Sequence, residues 1–413
     1  MKSLRAIFKC NGGAAIAGAM LVAPLFCGLL SAAPAEPQGS IPHQIVVKHP
    51  GIYENKPQSY TLSQTLDERG HPVGYFMEVD SVVCTDGLCK VVTVTMEWDA
   101  LGDYRSYSVA DGSVLEKALI PDENETPKKK AKDNTSSERD QAWTAFTDED
   151  HAKLHHILSD RSSILKDQQL SDLTSYRDKS RVDAMSGATP LTVRESVVQG
   201  AALSSYHLWH WANGEVVALA RELTHQNCSE EMLLEFLASD ESRYNLFALE
   251  HLQQSQLFTP AIVSAVIDVM SRGKTDQIDY GLAYLRLVNP DQDALYANLS
   301  RLFEAGSSDT RIHLLGLLEP ELSMSAAKLD KLSVGLAKTD SYYELHLFLG
   351  LAEQHEQVSE QLLTRASRFL ESENFFMARR AYWFLEKQTL NEQLTRQIEA
   401  FRNKCENENR SLG

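Results

Sequence analysis

The sequence predicts an α+β domain followed by an all-α helical-repeat (α-solenoid) domain. Three observations carry that expectation. Between His43 and about Val114 apolar and polar residues alternate with the period of strands. From about Gly214 to the C-terminus amphipathic segments of helical length recur at a nearly constant spacing. Between Pro121 and Asp140 apolar residues nearly vanish, which separates strand-rich sequence from helix-rich sequence.

The first residues read as an address. Lys2, Arg5 and Lys9 precede an apolar stretch from Ala14 to Ala32, and Ala33-Pro34-Ala35 has the form of a small-residue cleavage site. Residues 1–35 are expected to be a signal peptide. The mature chain then begins near Glu36 in the periplasm or another extracytoplasmic compartment. Gly18, Pro24, Cys27 and Gly28 interrupt the apolar run, and no later segment is apolar for long enough to cross a bilayer. No transmembrane span is expected after cleavage.

The formal charge of −17 becomes −20 once those three cations are removed. A chain this acidic repels phosphate backbones, so nucleic acid is not an expected partner.

The expected α+β domain covers residues 36–215, with a flexible insertion at 121–140. Val92, Val94, Met96 and Trp98 alternate with Thr93, Thr95, Glu97 and Asp99, the pattern of a half-buried strand. Asp99 to Asp103 reads as a turn into a strand from Tyr104 to Val109. Cys84 and Cys89 flank Thr-Asp-Gly-Leu, in which Asp86-Gly87 is a tight-turn signal, so a hairpin with a cysteine on either side is expected. In an oxidising compartment that arrangement favours a structural disulfide; a redox-active pair is the alternative. Thr147-Asp148-Glu149-Asp150 opens a helix, with a Thr cap and three acids in its positive first turn. His151 and His155 on that helix are spaced to share a metal, but no third ligand stands at a telling distance. They read as a surface face, and no metal is expected.

The expected helical-repeat domain covers residues 216–413. Apolar pentads beginning at Ala248, Ala283, Leu314, Leu347 and Ala381 occupy matching places, with steps of 35, 31, 33 and 34 residues. A second helix comes after each, as at Ala261 to Met270 and Ala294 to Phe303. Helix hairpins at this period resemble HEAT and TPR arrays, which present a surface to a protein partner.

One segment carries a sharp chemical signal: Arg181-Val182-Asp183-Ala184-Met185-Ser186-Gly187-Ala188-Thr189-Pro190. Five specified positions of this kind meet by chance in about one chain in a thousand of this length. Pro190 suits the first position of a helix, here expected to run through Val197, Val198, Ala201 and Ala202 to Trp211, with Thr189 as its cap. Gly187 and Ala188 allow close approach of the backbone.

The segment resembles the Asp-x-x-(Ser/Thr)-Gly-Ala-Thr motif of the FMN-binding domain family. That family includes the flavinylated C subunit of the sodium-pumping NADH:quinone reductase and the G subunit of the Rnf complex. The resemblance implies FMN as cofactor and a flavin transferase as a partner. FMN would be joined through a phosphoester to the hydroxyl of Thr189, with Asp183, Ser186, Gly187 and Ala188 filling the rest of the motif. The chain is thus expected to be an exported FMN-binding redox protein whose α+β domain holds the flavin. Its helical array would dock a redox protein or electron-transfer assembly. An adaptor without flavin and a flavin-dependent reductase are the alternatives. Downstream, Tyr206, His207, Trp209, His210 and Trp211 form an aromatic cluster that is either buried or stacked on a flavin; the helix ends at Asn213-Gly214.

Overall fold

The computed structural model describes residues 39–50, 56–85, 88–115, 146–169, 195–199, 201–289, 291–318, 325–354 and 358–413. The leader, the insertion at 121–140 and the Asp183–Thr189 motif lie outside the described residues.

Five strands form an antiparallel meander: β1 (Gly39–Lys48), β2 (Pro57–Leu66), β3 (Pro72–Thr85), β4 (Leu88–Asp99) and β5 (Tyr104–Leu115), each paired with the next. The expected alternation holds on β4 from Val92 to Trp98: Val92, Val94, Met96 and Trp98 are buried and Thr93, Thr95 and Glu97 are not, but Asp99, expected on the outward side, is buried. Burying each of those apolar side chains stabilises the sheet by about 1.5–3 kcal/mol. β3 and β4 meet at Thr85↔Leu88, and Cys84 stands directly opposite Cys89 in the register. The β4–β5 turn closes through the N–H of Asp99 donating to the carbonyl of Asp103 (2.8 Å). Gly102 in that turn has φ +81°, and a Cβ there would lie 2.5 Å from the carbonyl oxygen of Val217. Only glycine permits this approach.

The face of the sheet that carries Tyr75, Met77, Met96 and Trp98 is covered by three helices: α1 (Asp148–Ser159), α2 (Ala202–Asn213) and α3 (Glu215–Gln226). Thr147 caps α1 in a capping box with Asp150, as its sequence predicts. α2 is the central element. The indole N–H of Trp98 donates to the carbonyl of Ala212 (2.9 Å), that of Trp209 to Asp160 (2.9 Å), and the Asn213 amide to Leu158 (2.9 Å). α3, just beyond residue 215, still contributes Val216 and Ala220 to this core. It is tied to the sheet by Tyr75, whose hydroxyl lies 2.7 Å from that of Thr224.

Beyond α3 the described residues are mainly helical, and the helices stack in two layers. One layer is α4 (Glu230–Ala238), α6 (Pro260–Arg272), α8 (Gln292–Ala305), α10 (Ala326–Leu332), α12 (Glu360–Ser367) and α14 (Glu392–Asn407). The other is α5 (Ser242–Ser255), α7 (Thr275–Val288), α9 (Ser308–Leu318), α11 (Tyr342–Glu353) and α13 (Phe375–Glu386). Within each layer successive helices pack against one another, and the apolar core runs between the layers. Side-chain caps at Ser229, Thr259, Ser341, Ser359 and Asn391 set the helix starts.

Ala248, Gly281, Leu314, Phe348 and Ala381, one on each helix of the second layer, are buried and follow one another at 33, 33, 34 and 33 residues. Of the first residues of the five expected pentads, Ala248, Leu314 and Ala381 are buried, Leu347 is half-buried and Ala283 is exposed. Cys228 and Cys405 are both free thiols. No helix among the described residues is long and apolar enough to cross a membrane.

Candidate functional site

The Asp183, Ser186, Gly187, Ala188 and Thr189 positions lie outside the described residues, so the site is built from the segment downstream of the motif. The helix expected to continue from Pro190 to Trp211 is interrupted. Glu195 is helical, residues 196–199 are not, and α2 begins afresh at Ala202. The reason lies in Ser205. Its hydroxyl accepts the Val198 N–H (3.0 Å) and donates to the Ala201 carbonyl (2.9 Å), while the Ala201 N–H turns back to the Val198 carbonyl (3.0 Å). Val197, Val198 and Ala201 are still buried, but through this turn rather than along one continuous helical face.

α2 carries the aromatic cluster. Tyr206 and His210 are half-buried, and the rings of His207, Trp209 and Trp211 are buried against the sheet and α1. Neighbouring rings meet at 4.3 Å (Tyr206–His210), 5.0 Å (Trp209–His210) and 6.0 Å (Tyr206–His207). The cluster extends onto the first hairpin. His49 packs edge-on against His207 at 6.1 Å and Trp211 at 5.3 Å, and Tyr60 against Trp211 at 5.1 Å.

Burial has two consequences here. It pushes the basicity of His207 down to about 3, helped by His49 and His210, so the ring is neutral at any ordinary pH. His49 and His210 are lowered for the same reason, opposed by their bonds to backbone carbonyls: His49 Nε2 lies 3.1 Å from the Asp80 oxygen and His210 Nε2 3.1 Å from that of Leu165. The second consequence is unmet bonding. Both ring nitrogens of His207 and the indole N–H of Trp211 are buried with no hydrogen-bond partner among the described residues.

The other histidine pair behaves as a surface face. His151 Nδ1 lies 2.6 Å from the Tyr107 hydroxyl and His155 Nδ1 3.1 Å from that of Tyr104. Burial pushes Tyr107 up to about 12 and Tyr104 higher still, so both hydroxyls keep their protons. These bonds dock α1 on β5. No group of three metal-ligating side chains occurs among the described residues.

Two clefts flank the β4–β5 turn where it enters the helical array. One, of about 390 Å³, is lined by Val73, Ala100, Arg105, Met232, Phe236 and Tyr244. The other, of about 400 Å³, is lined by Leu101, Asp103, Arg161, Val217, Arg221 and Arg243. Its guanidinium groups already face carboxylates: Arg161 pairs with Asp103, Arg221 with Glu250 (2.7 Å), and Arg243 with Asp99 and Asp103 (2.5 Å to the latter).

No protein-family model, no curated protein and no solved structure matches this chain.

Proposed function

We propose that this chain is an exported flavoprotein of extracytoplasmic electron transfer, with FMN joined covalently to Thr189. The observation that carries the reading is the motif Asp183-Ala184-Met185-Ser186-Gly187-Ala188-Thr189, read from the sequence. Once bound, a flavin supplies its own electron chemistry, and the protein's part is to position and tune it. The sheet with its covering helices is a rigid support for such a group. The half-buried rings of Tyr206 and His210 beside the neutral His207 support the reading as an aromatic surface near the motif.

The helical array would dock the redox partner. Support for that role comes from the layer formed by α5, α7, α9, α11 and α13, which exposes Tyr280, Leu287, Tyr342, Tyr343 and Phe376 to solvent. Large aromatic side chains left exposed in this way are typical anchors of protein interfaces. Attachment is tested by the intact mass of the protein after co-expression with a flavin transferase. Docking is tested by whether Tyr343→Ser and Phe376→Ser together abolish electron transfer to a cognate redox partner without altering the flavin.

A further inference from the structure

The cleft of about 390 Å³ lies where the sheet meets the helical array, between the start of β3, the β4–β5 turn, α4 and α5. Val73, Ala100, Met232 and Phe236 give it an apolar lining, and Tyr244 borders it on the array side. Phe236 packs against Tyr244 with 5.0 Å between ring centroids. Val73 is 43% exposed, an apolar side chain of the lining left open to solvent. Clefts of this size between packed units, mostly apolar with a few polar groups, are the usual seats of small organic ligands.

The charges around the cleft are matched, with one exception. Glu235 pairs with Arg69, and His71 lies 3.9 Å from Asp67. Asp99 accepts from Arg243 and from the Tyr244 hydroxyl (3.2 Å). Burial, with the Asp99 charge, pushes that hydroxyl up to about 12, so it keeps its proton. Arg105, exposed at the start of β5, brings its guanidinium to the same hydroxyl. It meets no carboxylate within ion-pair distance among the described residues.

We infer that this cleft binds a small aromatic monocarboxylic acid, its ring against Val73, Met232 and Phe236 and its carboxylate on Arg105. The site does not depend on FMN at Thr189. A guanidinium presents paired N–H donors that match the two oxygens of a carboxylate. One unmatched cation selects one negative charge. The second charge of a phosphate monoester would fall near Glu231 and Glu235 on α4, both already drawn on by Arg69. An organic cation would meet Arg105, and a neutral ring would leave that guanidinium to water. Phe236 and Met232 favour an aromatic ring over an alkyl chain, through ring-edge contact and the polarisable thioether.

The test titrates phenylacetate and indole-3-acetate into the mature chain at pH 7, beside the neutral phenylacetamide and indole-3-acetamide, and reads binding by isothermal calorimetry. At least one acid is expected to bind, roughly tenfold more tightly than its amide. Arg105→Gln keeps a donor for the Tyr244 hydroxyl and removes the charge. It should bring the acid to the affinity of the amide and leave the amide unchanged, with folding followed by a thermal melt. Should Arg105→Gln melt early, the ratio of acid to amide affinity on the unaltered chain decides. Failure of both acids to bind overturns the site. Equal affinity for acid and amide, or an acid affinity unmoved by Arg105→Gln in a folded variant, overturns it as well.

Discussion

Arg243, at the start of α5, donates to the carboxylate of Asp99, which lies 144 residues earlier at the end of β4 and is 1% exposed. Asp99 also accepts the N–H groups of Leu101 (2.8 Å) and Asp103 (2.9 Å) and the hydroxyl of Tyr244 (3.2 Å). The β4–β5 turn is thereby pinned to the first helices of the array, with Ala100 and Leu101 packed on Tyr244 and Phe247.

Arg243→Met should uncover that arrangement. It leaves a buried carboxylate with its neutral donors but no cation. Arg243 is itself partly solvent-exposed, so the cost falls below that of a fully buried pair, at about 2 kcal/mol. Urea denaturation at pH 7 measures it. An unchanged midpoint would show that the turn is held by packing alone.

A second ion pair lies inside the array. Arg311 and Glu344 are each 3% exposed, joined by an Nε–Oε1 contact of 2.5 Å. Arg311 also donates to the carbonyl of Gly306 (2.7 Å), and Glu344 accepts from Thr339 (2.6 Å) and Ser308 (2.7 Å). Glu344→Gln keeps the shape and removes the charge, leaving a buried guanidinium uncompensated. A loss of about 3 kcal/mol or more is expected, again read by denaturation. Replacing both residues with apolar ones of similar volume should recover most of it.

Acid should act through His207. Its folded pKa of about 3 lies below the ordinary value of 6.5, so the unfolded chain binds the proton more readily. The stability it contributes is complete above pH 6.5 and is lost as pH falls from there towards 3. Each pH unit in that window costs about 1.4 kcal/mol, or roughly 2 kcal/mol between pH 6.5 and pH 5. His207→Leu should lessen the drop in denaturation free energy between pH 7 and pH 5 by that amount. Equal drops in the two proteins would show that His207 takes up its proton without unfolding cost.

The β3–β4 hairpin places Cys84 directly opposite Cys89. Opposed residues of antiparallel strands have Cα atoms about 4.5–5.5 Å apart, within the span of a disulfide. Protein recovered from its native compartment should show the two peptides linked by mass spectrometry without reductant. Two free thiols would contradict the structural disulfide.

Local chemistry made much of this architecture legible in the sequence. The alternation from Val92 to Trp98 has the period of a strand with one buried face, and it is buried on that face. Thr147 with three acids after it announces a capped helix, and the capping box is present. The helices of the second half were legible from their apolar pentads, but not which residue of each pentad is buried. An apolar pentad marks a helix, yet Ala283 at the start of one is exposed and Leu347 at the start of another only half-buried. The break before α2 was hidden because Val197, Val198, Ala201 and Ala202 have helical spacing; it depends on one hydroxyl, that of Ser205. The pairing of Asp99 with Arg243 is a relation between distant segments, which no local pattern encodes. The candidate site is divided in the same way: the Asp183–Thr189 motif is local, whereas the burial of His207 and Trp211 without hydrogen-bond partners among the described residues is visible only in the fold.

The most direct test of the central claim is the intact mass of the mature protein, co-expressed and exported with a flavin transferase, compared with that of Thr189→Ala. Attachment needs a hydroxyl, and of the two in the motif, Ser186 and Thr189, the proposal assigns it to Thr189. The wild type is expected to carry the added mass of one FMN less one water and to stay yellow and fluorescent after denaturing electrophoresis. Thr189→Ala should lack the mass while keeping the fold, as judged by its thermal melt. A wild type without the added mass, or an alanine variant that still carries it, would contradict covalent FMN at Thr189.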